Sequence, residues 1–146
     1  MPLSRSFFAK RRTVLYLPLL AEESLLQQTF LRALQLAPAE RCYLLTDISY
    51  VEKIEEQLPN FLPKNIILEP SNRDTAPCLA LAASMIERQN PRAMLVILPS
   101  DHFICDNRSF QKTVEKALVA AAGGSMVAIG IPPDSPNPAY GYIEKG

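Results

Sequence analysis

The chain has no tryptophan, one histidine and three cysteines. These shortages exclude a good deal. A structural zinc site draws on about four Cys or His ligands at close spacing. Cys42, Cys78 and Cys105 lie far apart, no CxxC pair occurs, and His102 stands alone. The thiols are therefore expected to be free and reduced. Glycine is scarce too, with 5 in 146 residues. The one adjacent pair, Gly123-Gly124, follows a helical stretch and closes it, so it is not the opening of a phosphate-binding P-loop. Neither sign of charge is in excess, because 15 Lys and Arg face 15 Asp and Glu. Nucleic-acid and acidic-membrane binding call for a basic surplus, so neither partner is expected. No apolar run nears the ~20 residues of a membrane span. Charge at Arg5, Lys10, Arg11 and Arg12 precedes an apolar stretch that Pro18 interrupts and Glu22 and Glu23 follow. A secretory leader is therefore not expected, and a cytoplasmic location is.

What is present is an ordinary globular composition, 48% hydrophobic and 21% charged, on a 146-residue chain sized for about one domain. The 13 prolines punctuate it, notably at Pro59, Pro63, Pro91, Pro99 and through Pro132–Pro138. Leu25, Leu26, Thr29, Phe30, Ala33 and Leu34 recur at helical spacing after Ser24, which predicts a capped helix to about Leu36. Cys42 to Leu45 reads as a strand, and Ser49 to Leu58 as a helix capped by Ser49. Ile66 to Leu68 reads as a second strand. Thr75 to Arg88 is an Ala- and Leu-rich helix with Pro77 in its first turn. Ala93 to Leu98 is wholly apolar, the pattern of a strand buried on both faces. Ser109 to Ala122 is a helix, Ser125 to Ile131 a strand, and Tyr140 to Ile143 the start of another. This alternation predicts an α/β fold, a Rossmann-like and mostly parallel sheet with helices on both faces. Ligands of such sheets bind at the carboxyl ends of the strands.

Four stretches there could carry chemistry. Leu98-Pro99-Ser100-Asp101-His102 follows the most apolar run. A carboxylate held at a strand end suits a hard divalent cation, so Asp101 is the metal candidate. The plainer role for Asp101 is to cap a turn. Glu69 to Pro77 follows another strand and opens a helix, where free backbone N–H groups favour an anion or a base edge. Asp74 or Thr75 would equally serve there as a cap. Pro138-Ala139-Tyr140-Gly141-Tyr142-Ile143 joins two aromatic faces to a glycine, or is simply an edge strand. Pro2-Leu3-Ser4-Arg5 could meet phosphates, or be a solvated tail.

Taken in order, these stretches resemble the nucleotidyltransferase domain of the mannose-1-phosphate guanylyltransferases. Pro2-Leu3-Ser4-Arg5 is similar to the end of G-G-x-G-T-R-L-W-P-L-S-R. Leu17-Pro18-Leu19-Leu20 with Ser24 to Thr29 is similar to the segment opening that family's first helix. Glu69-Pro70, Arg73-Asp74-Thr75-Ala76-Pro77 and Ala80 to Ala83 match E-P-x-x-R-N-T-A-P-x-I-A-L-A-A. Leu98 to His102 matches L-P-A-D-H, and Gly130-Ile131 with Tyr140 to Ile143 matches G-I-x-P-x-x-P-x-T-G-Y-G-Y-I. The resemblance covers nearly the whole of residues 1–146 as one partial nucleotidyltransferase domain. It implies transfer of GMP from GTP to mannose 1-phosphate, giving GDP-mannose and pyrophosphate, with Mg²⁺. By the same resemblance Asp101 holds the metal, and Arg5 joins it as a catalytic residue. Glu69, Arg73, Asp74, Thr75 and Ser100 lie at the nucleotide, and Tyr140 and Gly141 at the sugar.

The chain also departs from that pattern. The glycine-rich part of the first signature is absent, although its backbone N–H groups cradle the triphosphate. Val14 stands where the family has the lysine of P-K-Q-F. Asp74 replaces an Asn, turning a donor–acceptor into an acceptor. Pro138 and Ala139 replace Thr-Gly. The sugar-binding half would lie beyond Gly146. The domain is thus expected to be incomplete and the isolated chain inactive. The alternative is a non-catalytic module, either a degenerate nucleotide binder or an association subunit in a homo-oligomer or with a completing chain. Thr13 to Leu17, β-branched and aromatic, is expected to fill part of the place of the absent first strand. A sugar-nucleotide glycosyltransferase would need a D-x-D motif, but His102 and Phe103 follow Asp101.

Overall fold

The computed structural model describes residues 15–18, 21–69 and 75–144. Helix α1 spans Leu25–Leu34. Its start is fixed by a reciprocal capping box. The Ser24 hydroxyl accepts the Gln27 N–H at 3.2 Å, and the Gln27 amide oxygen accepts the Ser24 N–H at 2.9 Å. The Gln27 side chain also donates to the Gln57 carbonyl, so the cap locks α1 onto the next helix. Ser24 is 1% exposed. Ser24→Ala is therefore expected to lower stability by about 1 kcal/mol, and a urea titration followed by circular dichroism checks it.

After a 3₁₀ turn at Ala39–Arg41 the chain enters strand β1, Leu44–Thr46. A second 3₁₀ turn, Ile48–Tyr50, leads into helix α2, Val51–Gln57. Ser49 does not cap α2. It is the donor: the Asp47 carboxylate accepts its N–H at 2.9 Å and its hydroxyl at 2.6 Å, which closes the 3₁₀ turn and delays the α-helix to Val51. Strand β2, Ile66–Leu68, then pairs parallel to β1, with Leu44 opposite Ile66 and Thr46 opposite Leu68. A helix between two parallel strands makes a βαβ unit.

Helix α3 runs Thr75–Gln89 and helix α4 Asn107–Ala121. As at Ser49, the serine at the expected helix start, Ser109, is a donor. Asp106 accepts its N–H and hydroxyl at 3.0 and 2.6 Å, so α4 starts two residues early. Those bonds hold the Asp106 carboxyl below its usual range. The helix closes on Gly124, whose φ of +88° is left-handed and suits glycine.

The core lies among α1, α2, β1 and β2. Tyr16, Leu26, Cys42, Ile54, Leu58 and Phe61 form it, flanked by Phe30, Leu44, Tyr50 and Ile66. Phe30 meets Phe61 edge-on at 5.2 Å between centroids, and Tyr16 stacks on Tyr50 at 6.1 Å. Lys53 sits over the Tyr16 ring. The described part of Thr13–Leu17 turns into this core through Tyr16 and does not join the sheet. The Cys42 thiol is buried against the Pro38 carbonyl, and burial pushes its pKa up.

The architecture is an incomplete Rossmann-like α/β fragment. Among the described residues the sheet has two strands, β1 and β2. The apolar run Ala93–Leu98 is not a strand and is not buried on both faces, since Met94 is 53% and Ile97 54% exposed. Ser125–Ile131 and Tyr140–Ile143 likewise carry no strand pairing. A strand needs a neighbour's N–H and C=O groups, and an apolar sequence alone does not supply them.

Candidate functional site

Both strands end on the side where chemistry was expected. Glu69 follows β2 directly, and its N–H donates to the Thr46 carbonyl at 2.9 Å, one step past the last paired residues. That bond sets Glu69 at the carboxyl end of the sheet. Its half-buried carboxylate accepts the Cys78 thiol at 3.2 Å. Cys78 sits in the first turn of α3, so β2 and α3 are tied through the candidate nucleotide residue itself. Thr75 opens α3. The sequence pointed to Glu69 but not to Cys78, although its place three residues after Thr75, in the first turn of a helix following Glu69, was a usable signal.

The stretch bearing Asp101 is irregular backbone. Ser100 is half-buried, while Asp101 and His102 are exposed. Its anchor is Arg32 on α1. One guanidinium nitrogen donates to the Thr29 hydroxyl at 2.7 Å and to the His102 carbonyl at 2.9 Å. Arg32 is 4% exposed, and burial pushes its pKa down from the usual arginine value. The guanidinium stays protonated at any ordinary pH. Arg32 escaped the sequence reading. Its signal was register: it lies on the stripe of Leu25 and Thr29, where an apolar residue belongs.

The third stretch is a self-closed turn. The Tyr142 hydroxyl accepts the Asn137 N–H at 2.6 Å and donates to the Asn137 carbonyl at 3.1 Å. Tyr142 thus holds the turn, while Tyr140 is 63% exposed and presents its ring. A Cβ added at Gly141 would meet nothing within 4 Å, so the chain's own packing does not require glycine there.

A cleft of about 390 Å³ is lined by Pro133, Asp134, Ser135, Pro136 and Tyr142. Another of about 210 Å³ is lined by residues that include Gln28, Arg32, Gln35 and Asn107. Neither contains Asp101, Glu69 or Tyr140, so these cavities do not gather the candidate residues. Arg5, Arg73 and Asp74 lie outside the described residues. Among the described residues no three His, Cys, Asp or Glu side chains cluster to hold a metal. A lone exposed carboxylate does not make a resident cation site. It is the kind of hard oxygen donor that a Mg²⁺ brought in with a triphosphate would take.

The sequence profile described as nucleotidyl transferase matches residues 1–146. The chain belongs to that family. Xanthan biosynthesis protein XanB of Xanthomonas campestris pv. campestris (strain B100) is 40% identical over 147 residues, covering 99% of this chain and 30% of that protein. The mannose-1-phosphate guanylyltransferase of Escherichia coli K12 is 37% identical over 149 residues, with the same 99% and 30% coverage. Alginate biosynthesis protein AlgA of Pseudomonas aeruginosa PAO1 is 38% identical over 145 residues, covering 97% of this chain and 29% of that protein. The chain therefore spans about 30% of the length of the curated relatives it matches.

Proposed function

We propose that this chain carries the nucleotide and metal half of a sugar-1-phosphate guanylyltransferase, and that alone it binds Mg²⁺·GTP without completing transfer to mannose 1-phosphate. The observation that carries the reading is Asp101, an exposed carboxylate on a stretch tethered from inside the protein by Arg32. The 37% identity to a named mannose-1-phosphate guanylyltransferase supports guanine and mannose as the base and sugar. Mg²⁺, when bound, neutralises charge developing on the transferred phosphoryl group. Asp101 would hold it. Glu69, held by Cys78 and the sheet, would orient the base or ribose together with Ser100, Arg73, Asp74 and Thr75. Arg5 would face the phosphates. Tyr140 and Gly141 would offer a ring and an open backbone to the sugar.

Titration calorimetry with Mg²⁺·GTP tests the binding. Asp101→Ala is expected to weaken it about tenfold or more, the scale of a lost charged partner, and to leave the melting temperature unchanged. Pyrophosphate release with mannose 1-phosphate is expected to stay at background. Turnover by the isolated chain overturns the binding-only reading. Absence of binding by the unaltered chain overturns the nucleotide reading. It favours an association module, which the exposed Met94, Ile97, Met126 and Ile131 also support.

A further inference from the structure

Arg32 sits where the fold should least accept it. Leu25, Leu26 and Thr29 on the same helix are buried, and so is this cation. Burying a guanidinium is costly unless a partner compensates, and here its partners are two neutral oxygens. One of them, Thr29 Oγ1, lies on α1 itself, three residues away. The other, the His102 carbonyl, lies 70 positions along the chain. Among the described residues no other hydrogen bond ties 98–105 to a distant part of the chain. A methionine at position 32 would keep the helix and the apolar stem without the charge. What it could not do is hold that carbonyl.

We propose that Arg32 is a positioning residue, fixing the Ser100–His102 turn through the His102 carbonyl and thereby the place of Asp101. The consequence for Mg²⁺·GTP rests on the nucleotide reading above. The contact itself does not. A charge-assisted hydrogen bond from a buried, rotamer-locked donor restrains a loop that has no ladder of its own. Thr29 holds the guanidinium so that the same nitrogen can reach across.

The chain's single histidine makes the test direct. Carbonyl-¹³C histidine incorporated into the full chain gives one resonance, that of the His102 carbonyl. In Arg32→Met the resonance is expected to move upfield by more than its linewidth, while the methyl resonances of the α1–α2 core hold. If Arg32→Met does not fold, Arg32→Lys reads the same resonance with the cation kept and the fork lost. Mg²⁺·GTP affinity is expected to fall about tenfold in Arg32→Met. It should fall no further when Arg32→Met is added to Asp101→Ala, because positioning acts through Asp101. An unmoved resonance overturns the proposal. So does a moved resonance with unchanged affinity, or losses that add in the double variant. An unaltered chain that binds no Mg²⁺·GTP overturns the nucleotide reading instead. The resonance then still decides whether Arg32 holds the turn.

Discussion

Asn65→Asp is expected to unfold the β1–β2 unit at neutral pH and to spare more of it in acid. Asn65 is 3% exposed. Its side-chain nitrogen donates to the carbonyls of Ala39, Glu40 and Cys42 at 3.3, 3.1 and 2.9 Å. One amide thus gathers the 3₁₀ turn that feeds β1 and pins it beside the start of β2. A carboxylate has no proton to give. It would place a buried anion against three carbonyl oxygens, at a cost of about 3–5 kcal/mol, out of a total stability of about 5–15 kcal/mol. The new carboxyl would resist ionising, so its folded pKa lies above the unfolded value near 3.9. Between those two values the folded state binds more protons than the unfolded state. Stability therefore falls as pH rises from the unfolded pKa to the folded one, and is flat beyond. Asn65→Ala loses the same bonds without adding a charge. It should cost about 1–3 kcal/mol with no new pH dependence. Urea titrations of both variants at acid and neutral pH, each referred to the unaltered chain, check this. Equal losses at both pH values would refute it.

Asn65 also shows which parts of this protein could be read from its residues. Helices α1 to α4 were legible because apolar residues recur along them between turn residues, and α1 also because Ser24 caps it as expected. The two misplaced starts share one cause. In Asp47-Ile48-Ser49 and Asp106-Asn107-Arg108-Ser109 the helix is expected to start at the serine, while the carboxylate before it is the stronger acceptor and the serine is its donor. Strand β2 was legible to the residue. The runs at 93–98 and 125–131 were not, because apolar composition reports what side chains would bury and says nothing of a neighbouring backbone. At the candidate site, position along the chain put Glu69 and Asp101 forward as candidates, each just after an apolar run. Arg32 and Asn65 act on partners 70 and 23–26 positions away. No local pattern encodes such a partner. Only an unexpected polar residue in an apolar register marks it.

The second large effect is expected from the apolar residues left without partners. Met94, Leu95 and Ile97 in one run, and Met126, Val127, Ile129 and Ile131 in the other, are all exposed, Met126 completely. Folded monomers rarely show contiguous apolar patches beyond a few hundred Å². Covering ~400 Å² of such surface contributes about 10 kcal/mol gross, against an association cost of about 4–15 kcal/mol. The two nearly balance, so self-association should depend on concentration rather than be obligate. At ~10 µM, where exposed apolar segments already drive association, sedimentation velocity should show species larger than the 16.2 kDa chain. A hydrophobic dye should bind with strong fluorescence. Replacing Val127, Ile129 and Ile131 with Thr keeps the β-branched backbone preference and adds a hydroxyl at each site. That variant should shift toward monomer and lose most of the dye signal. Its helical content should stay, because α4 is anchored through the buried Val114, outside the run. An unaltered chain that stays monomeric and dye-free at ~100 µM would show that these residues are covered in solution. It would also remove the support they give to an association module.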